Sequence, residues 1–268
     1  NGIDAIYEKQ KLNENQLKEF ISQIREKKIN GINVTIPFKK SVIPYLDELS
    51  IEARNTQSVN TIYFKDNKIF GHNTDIVGFE TSVKKSKYDL TNKEVFILGA
   101  GGVVPSIIFA LIKMRVSKII VSNRTKEKTD NLKNLFQNIE TVDWGKIPNF
   151  DMIINATSVG LKNDQKFDLD FSKVGKNKFF YDVIYNPKET NFLKTGRNLG
   201  NKTENGKKMF IYQAAASFKI WHGIEPAIDD ETLPATINPP NTGPSSLTMP
   251  IATIEGTTLS ALKRAPPE

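Results

Sequence analysis

The sequence predicts an α/β protein in which a doubly wound parallel sheet is accompanied by a smaller α/β domain. Three observations lead there. From Val95 to Arg124 the chain reads as strand, glycine turn, helix, strand and arginine. Strands and helices keep alternating as far as Ile184, which forces parallel pairing with right-handed crossovers. Before Val95 the chain carries a helix, a strand and a hairpin of its own.

Taken in order, Asn13 with Gln16 forms a capping pair, and Leu17, Phe20, Ile21 and Ile24 follow on one helical face. Gly31 to Ile36 is an apolar strand stopped by Pro37. Val59 to Phe64 and Lys68 to Gly71 flank Asp66-Asn67, a hairpin signal. Ile76 to Ser86 is a helix, and the polar crossing from about Lys85 to Asn92 marks a domain boundary. Next come a strand at Val95–Leu98, a helix at Val103–Met114 and a strand at Lys118–Ser122. A helix at Lys126–Gln137 and strands at Asp151–Asn155 and Lys178–Ile184 complete the alternation, before a last helix at Met209–His222. From Pro234 onward the chain holds seven of its 13 prolines and many Ser and Thr residues, so the reading there is a largely irregular tail.

Gly99, Ala100, Gly101 and Gly102 stand where backbone must turn tightly and approach a pyrophosphate, and the helix that follows offers free N–H groups and a positive dipole. The alternative is a plain strand-to-helix turn. What favours a dinucleotide is the second strand's end: Asn123, Arg124 and Thr125 replace the acid that holds the ribose hydroxyls of NAD, and an arginine there pairs with the 2′-phosphate of NADP. Val104 occupies the third fingerprint position, which predicts slightly looser packing of helix on strand. Pro105 is tolerated in a first helical turn. The uncharged run from Val95 to Ile112 is broken by three glycines and a proline, which argues against a membrane span.

With no cysteine the chain has no disulfide, thiolate nucleophile or thiolate metal site, a composition suited to the cytoplasm. The formal charge of +7 suits small anionic partners, and the lysines are too scattered for a nucleic-acid stripe. His72 and His222 are the two histidines, too few and too far apart in sequence for a metal site.

Two polar constellations close strands of the first domain: Asn33-Val34-Thr35-Ile36-Pro37-Phe38-Lys39, and Val59-Asn60-Thr61 with Gly71-His72-Asn73-Thr74-Asp75. Each sets an amide, a hydroxyl and a charge at a strand end. Read alone they also fit a β-branched strand residue at Thr35, a solvated Lys39 and a helix cap at Asp75.

NVTIPFK, SVNT, GHNTDIVGF, GAGG with NRT, NATSVG, YDVIYNP and YQAAASF occur in the order and spacing of the shikimate dehydrogenase family, which the chain resembles from about Asn1 to Leu233. The resemblance implies an NADP-dependent oxidoreductase that interconverts 3-dehydroshikimate and shikimate, with reduction by NADPH as the physiological direction. It implies Lys39 and Asp75 as the catalytic pair, and Thr35, Asn60, Tyr185 and Gln213 as substrate contacts. Gly99 to Val103, Asn123 to Lys128 (Arg124, Thr125, Lys126 and Glu127 between them), Val183 and Gly206 match the NADP site. The implied organisation is a substrate domain at 1–88, an NADP domain at 89–206, helices at 207–233 that return to the substrate domain, and the tail at 234–268. The expected partners are a small-molecule substrate and NADP, with no metal, nucleic acid or membrane, in a monomer or homodimer. Two alternatives are a relative with relaxed quinate/shikimate selectivity and a truncated, non-catalytic dinucleotide-binding homologue.

Family members open with a strand and an S-x-S turn whose hydroxyls hold the substrate carboxylate, and that pattern is absent ahead of Asn1-Gly2-Ile3-Asp4. The resemblance therefore predicts a substrate domain lacking its first strand and its carboxylate anchor, with an exposed sheet edge. Ser245-Ser246-Leu247-Thr248-Met249-Pro250 faintly echoes the serine turn, but the expectation is an appendage whose deletion changes nothing.

Overall fold

A computed structural model describes residues 5–162, 164–228 and 258–264. The elements are β1 (Ala5–Lys11), α1 (Leu17–Arg25), β2 (Gly31–Val34), β3 (Glu48–Leu49), α2 (Ile51–Thr56), β4 (Thr61–Lys65), β5 (Lys68–His72) and α3 (Asp75–Lys85). Then follow β6 (Glu94–Leu98), α4 (Val104–Lys113), β7 (Lys118–Ser122), α5 (Lys126–Leu135), β8 (Glu140–Thr141), β9 (Met152–Asn155) and β10 (Phe179–Asp182). The last are α6 (Asn191–Asn198), β11 (Lys202–Glu204), α7 (Lys207–His222) and β12 (Thr258–Arg264). Among the described residues no helix is long and apolar enough to cross a membrane.

The chain divides into two compact units, one running through Asp75 and resuming at Ile211, the other spanning Ile76–Phe210. This departs from the expected boundary at 88/89. Ile76, Phe79 and Val83 recur on one face of α3 and are buried in the core of the second unit, so the helix groups with that core and the polar crossing after it does not mark the division. The division likewise falls inside α7, between Phe210 and Ile211, rather than at 206/207.

In the first unit the sheet order is β1-β12-β2-β4-β5-β3. Every neighbouring pair is antiparallel except β3 with β5. Asp66 and Asn67 both take positive φ, 49° and 60°, the geometry that lets a two-residue turn follow the twist of the β4–β5 hairpin. The Asn13 backbone N–H donates to Gln16 Oε1 at 2.8 Å in a short 3₁₀ turn that leads into α1, whose Leu17, Phe20, Ile21 and Ile24 are buried.

The expected irregular tail is corrected at 258–264. This segment is a strand running antiparallel to both β1 and β2, with Leu259 opposite Gln10 and Val34, and Ala261 opposite Glu8 and Ile32. Alternation places Leu259 and Ala261 on one face, where both join the core of the first unit. The slot beside β2 that was expected to be an open edge is therefore filled from the C-terminal side of the chain. The echo at Ser245–Pro250 lies outside the described residues.

The second unit holds a six-stranded, all-parallel sheet in the order β11-β10-β9-β6-β7-β8. Its four central strands, β6, β7, β9 and β10, are buried along nearly their whole length, as parallel strands between helical layers are, while the short edge strands β8 and β11 are polar. One face carries a core with α3 and α4, the other a Phe-rich core containing Phe96, Phe150, Phe171, Phe180 and Phe192. Chain order and strand order make β6 the point at which winding reverses, so its carboxyl end faces the crevice where such sheets bind ligands.

Candidate active site and cofactor cradle

In the first unit β2 ends at Val34 and the chain turns at once, Phe38 N donating to Thr35 O at 2.9 Å. The carbonyl of Lys39 accepts from Val59 N at 2.8 Å, which fixes the lysine backbone at the entrance to β4. Lys39 Nζ reaches Asp75 Oδ2 at 2.5 Å, with side chains only 13% and 9% exposed. Asp75 is the first residue of α3, where a carboxylate is favoured by the helix dipole.

The other carboxylate oxygen, Oδ1, accepts from Asn60 Nδ2 at 3.0 Å. Asn60 is buried, and its amide also donates to Thr74 Oγ1 at 2.9 Å and to Gln213 Oε1 at 3.3 Å. Its oxygen accepts from Thr74 N at 2.8 Å and Thr61 Oγ1 at 2.9 Å. Four of the predicted residues, Lys39, Asp75, Asn60 and Gln213, therefore form one connected network. Thr35 sits in the turn that leads to Lys39, beside that network in the chain.

Beneath the network lies a residue that sequence reasoning missed. Ser217, on α7 and fully buried, has its hydroxyl 2.7 Å from Thr61 Oγ1 and 3.1 Å from Thr74 Oγ1, and accepts from Asn33 Nδ2 at 3.2 Å. A serine inside YQAAASF is one of several small residues there, and nothing local distinguishes it. Tyr7 OH extends the chain of bonds, donating to Asn33 Oδ1 at 2.6 Å.

Tyr185 belongs to the second unit. Its ring stacks on Phe210 with centroids 5.0 Å apart, and burial pushes its phenol up to about 12.

The glycine turn lies at the carboxyl end of β6. Gly99 takes φ +112°, and a side chain there would meet Ala156 O at 2.7 Å, so both conformation and space demand glycine. Val104 N donates to Gly101 O at 3.0 Å as α4 begins, with Val103 as its cap and Pro105 in the first turn. Gly102 completes the turn. Val104 is fully buried in the core, so the larger residue at the third fingerprint position is absorbed by packing.

At the end of β7, Asn123 Nδ2 donates to Thr125 O at 2.9 Å, and α5 then starts with Lys126, Glu127 and Lys128 in its first turn. Arg124 is exposed between them, its guanidinium carbon 5.2 Å from the centroid of the Trp144 ring. Gly206 packs so closely on the Val183 carbonyl that any Cβ would overlap it, and its own N–H donates to Ile184 O at 3.1 Å. Asp182 and Asn155, facing each other on β10 and β9, tie the two loops beyond those strands. They lie in motifs visible in the sequence, yet no role for them was legible there.

Separate family models match three parts of the chain: the shikimate dehydrogenase substrate binding domain at residues 1–62, shikimate / quinate 5-dehydrogenase at 81–184, and the shikimate 5′-dehydrogenase C-terminal domain at 208–230. A shikimate dehydrogenase (NADP(+)) of Pelagibacter ubique is 55% identical over 231 residues, covering 86% of this chain and 87% of that protein. The chain belongs to the shikimate dehydrogenase family. Solved members share the architecture. The shikimate dehydrogenase of Aquifex aeolicus is 37% identical with a TM-score of 0.74, over 81% of this chain and 80% of that one. The Thermus thermophilus enzyme, solved with NADP(H) and shikimate, is 29% identical with a TM-score of 0.75 over 83% of each.

Proposed function

We propose that this chain is an NADP-dependent oxidoreductase interconverting 3-dehydroshikimate and shikimate, working chiefly as a reductase. The observation that carries this reading is the Lys39–Asp75 pair at 2.5 Å, with Asp75 held on its other oxygen by Asn60. The residues of the cradle fit a dinucleotide: Gly99 takes the positive φ that a tight turn at the end of β6 requires, α4 begins at the turn, and Arg124 supplies a cation at the end of β7.

When bound, the nicotinamide accepts hydride from the alcohol carbon in oxidation and returns it to the carbonyl carbon in reduction. Lys39 handles the oxygen. In reduction its ammonium donates a hydrogen bond to the carbonyl oxygen, stabilises the developing alkoxide, and supplies the proton directly or through a water it holds; in oxidation the proton returns by the same route. Asp75 keeps Lys39 in place and presents a carboxylate oxygen to a substrate hydroxyl. Asn60, Gln213 and Thr35 offer amides and a hydroxyl suited to a polyol ring, and Tyr185 contributes a phenol. The chain acts in the cytoplasm, as a monomer or homodimer.

The test is consumption of NADPH by the purified full chain with 3-dehydroshikimate, run beside NADH and with shikimate or quinate against NADP+. Turnover with NADPH and 3-dehydroshikimate supports the reading, and faster oxidation of quinate than of shikimate would replace the substrate assignment. Cofactor binding with no turnover on any of them would make the chain a non-catalytic member of the family.

A further inference from the structure

We propose that Trp144 is a positioning residue for cofactor choice: its ring restrains the Arg124 guanidinium for the 2′-phosphate of NADP. This rests on the reading of Arg124 given above. The guanidinium carbon lies 5.2 Å from the indole centroid, inside the range of about 6 Å over which a ring face attracts a cation. A carboxylate could also restrain an arginine, but it would occupy the N–H donors and cancel the charge that a phosphate needs. A ring face does neither. Among the described residues no acid forms an ion pair with Arg124, so its five donors stay available while its position is limited.

Trp144 is itself held firmly. Val142 N donates to Val121 O at 3.1 Å, tying the segment after β8 to the strand that delivers Arg124 three residues later. Asp143 to Lys146 then form a tight turn, with Lys146 N donating to Asp143 O at 3.2 Å and Gly145 at φ +99°. Position i+2 of such a turn calls for glycine, which accounts for the Trp-Gly pair. The indole packs 6.1 Å from the Phe167 ring, at the margin of the Phe-rich core. The wall beside Arg124 is thus anchored to sheet, turn and core together.

The experiment titrates the full chain with adenosine 2′,5′-bisphosphate and with 5′-AMP, probes that differ at the 2′-phosphate, and repeats the comparison with NADP+ and NAD+. Trp144→Leu should weaken the two 2′-phosphorylated ligands by about threefold to tenfold while leaving 5′-AMP and NAD+ within about twofold. Trp144→Phe, which keeps a weaker ring face and preserves folding if the leucine variant does not, should show a smaller loss confined to the same ligands. In an Arg124→Ala background Trp144→Leu should have no further effect. Equal losses for both kinds of ligand, or none in either Trp144 variant, would overturn the proposal. If Arg124→Ala leaves the preference for 2′-phosphorylated ligands intact, the reading of Arg124 fails and this proposal fails with it; if Arg124→Ala removes the preference and the Trp144 variants keep it, the proposal alone fails.

Discussion

Asp182 and Asn155 stand opposite one another at the carboxyl ends of β10 and β9, and Asn155 Nδ2 donates to Asp182 Oδ1 at 3.0 Å. The same carboxylate accepts from Ile184 N at 2.9 Å and, on its other oxygen, from Thr190 Oγ1 at 2.6 Å. Asn155 Oδ1 accepts in turn from Thr157 N at 3.0 Å. One buried pair therefore shapes both the loop that crowds Gly99 through Ala156 and the loop that carries Val183.

Burial outweighs those hydrogen bonds and raises the Asp182 carboxyl from 3.8 to about 6. A raised acid favours the fold when protonated. Its contribution is fully present below pH 3.8 and is lost as the pH climbs through about 6, a change on the order of 3 kcal/mol. Asp182→Asn keeps an acceptor for Asn155 and Ile184 and does not titrate, so the melting temperature of the parent relative to this variant should fall between pH 4 and 7. Asp182→Ala, which strands three donors, should be less stable than Asp182→Asn at neutral pH. Thermal unfolding across that range is the measurement, and a parent-to-variant difference that does not change with pH would refute the assignment.

Removing the amine at Lys39 should separate chemistry from cofactor binding. Lys39→Ala should reduce turnover by roughly 10²- to 10⁴-fold with NADPH affinity nearly unchanged, because Lys39 lies in the first unit and the residues proposed for the dinucleotide lie in the second. Steady-state rates paired with NADPH titration decide it. A large loss of NADPH binding would make Lys39 a cofactor residue.

At Gly99 even one added carbon should be costly. Gly99→Ala would carry a side chain at φ +112° and push it against Ala156 O at 2.7 Å, a backbone atom that cannot swing away. NADPH affinity should drop by more than about tenfold while circular dichroism stays close to the parent's, since the strain is confined to the turn. Unchanged NADPH affinity would mean that the turn is not part of the cradle.

The features that were legible in the sequence were not all legible for the same reason. Gly99 and Arg124 stand out because strand, glycine turn, helix, strand and arginine follow one another at fixed distances along the chain, whereas Lys39 and Asp75, read alone, also fit a solvated lysine and a helix cap and are singled out only by the family resemblance. Ser217 and Trp144 act through neighbours far away in sequence: Ser217 meets Thr61 across 156 positions, and spacing carries no trace of that. The boundary was expected after α3, at Lys85 to Asn92, because a polar crossing looks like a linker, whereas Ile76, Phe79 and Val83 decide by packing which core owns the helix. At Thr258–Arg264 the alternation is short, sits in a Pro-, Ser- and Thr-rich stretch, and pairs only with strands at the other end of the chain.

That last strand yields the prediction furthest from the sequence reading. β12 lies inside the sheet, hydrogen-bonded on both edges, so removing it would leave β1 and β2 each with an unpaired row of backbone groups. Leu259 and Ala261 would leave the core of the first unit as well, and Leu259 alone is worth about 2 to 3 kcal/mol of burial. Deleting residues 258–268 should therefore lower the unfolding temperature of the first unit and abolish turnover, because Asn33, next to β12 in the sheet, supports the Ser217 network below Asp75. NADPH binding, which the proposed cradle assigns to the second unit, should persist. Leu259→Asp in the full chain should reproduce the effect by setting a charge in the apolar core. Melting curves, turnover and NADPH titration of both variants provide the check: if each melts and turns over like the parent, the strand does not occupy this slot in solution, and the irregular tail expected from the sequence is restored.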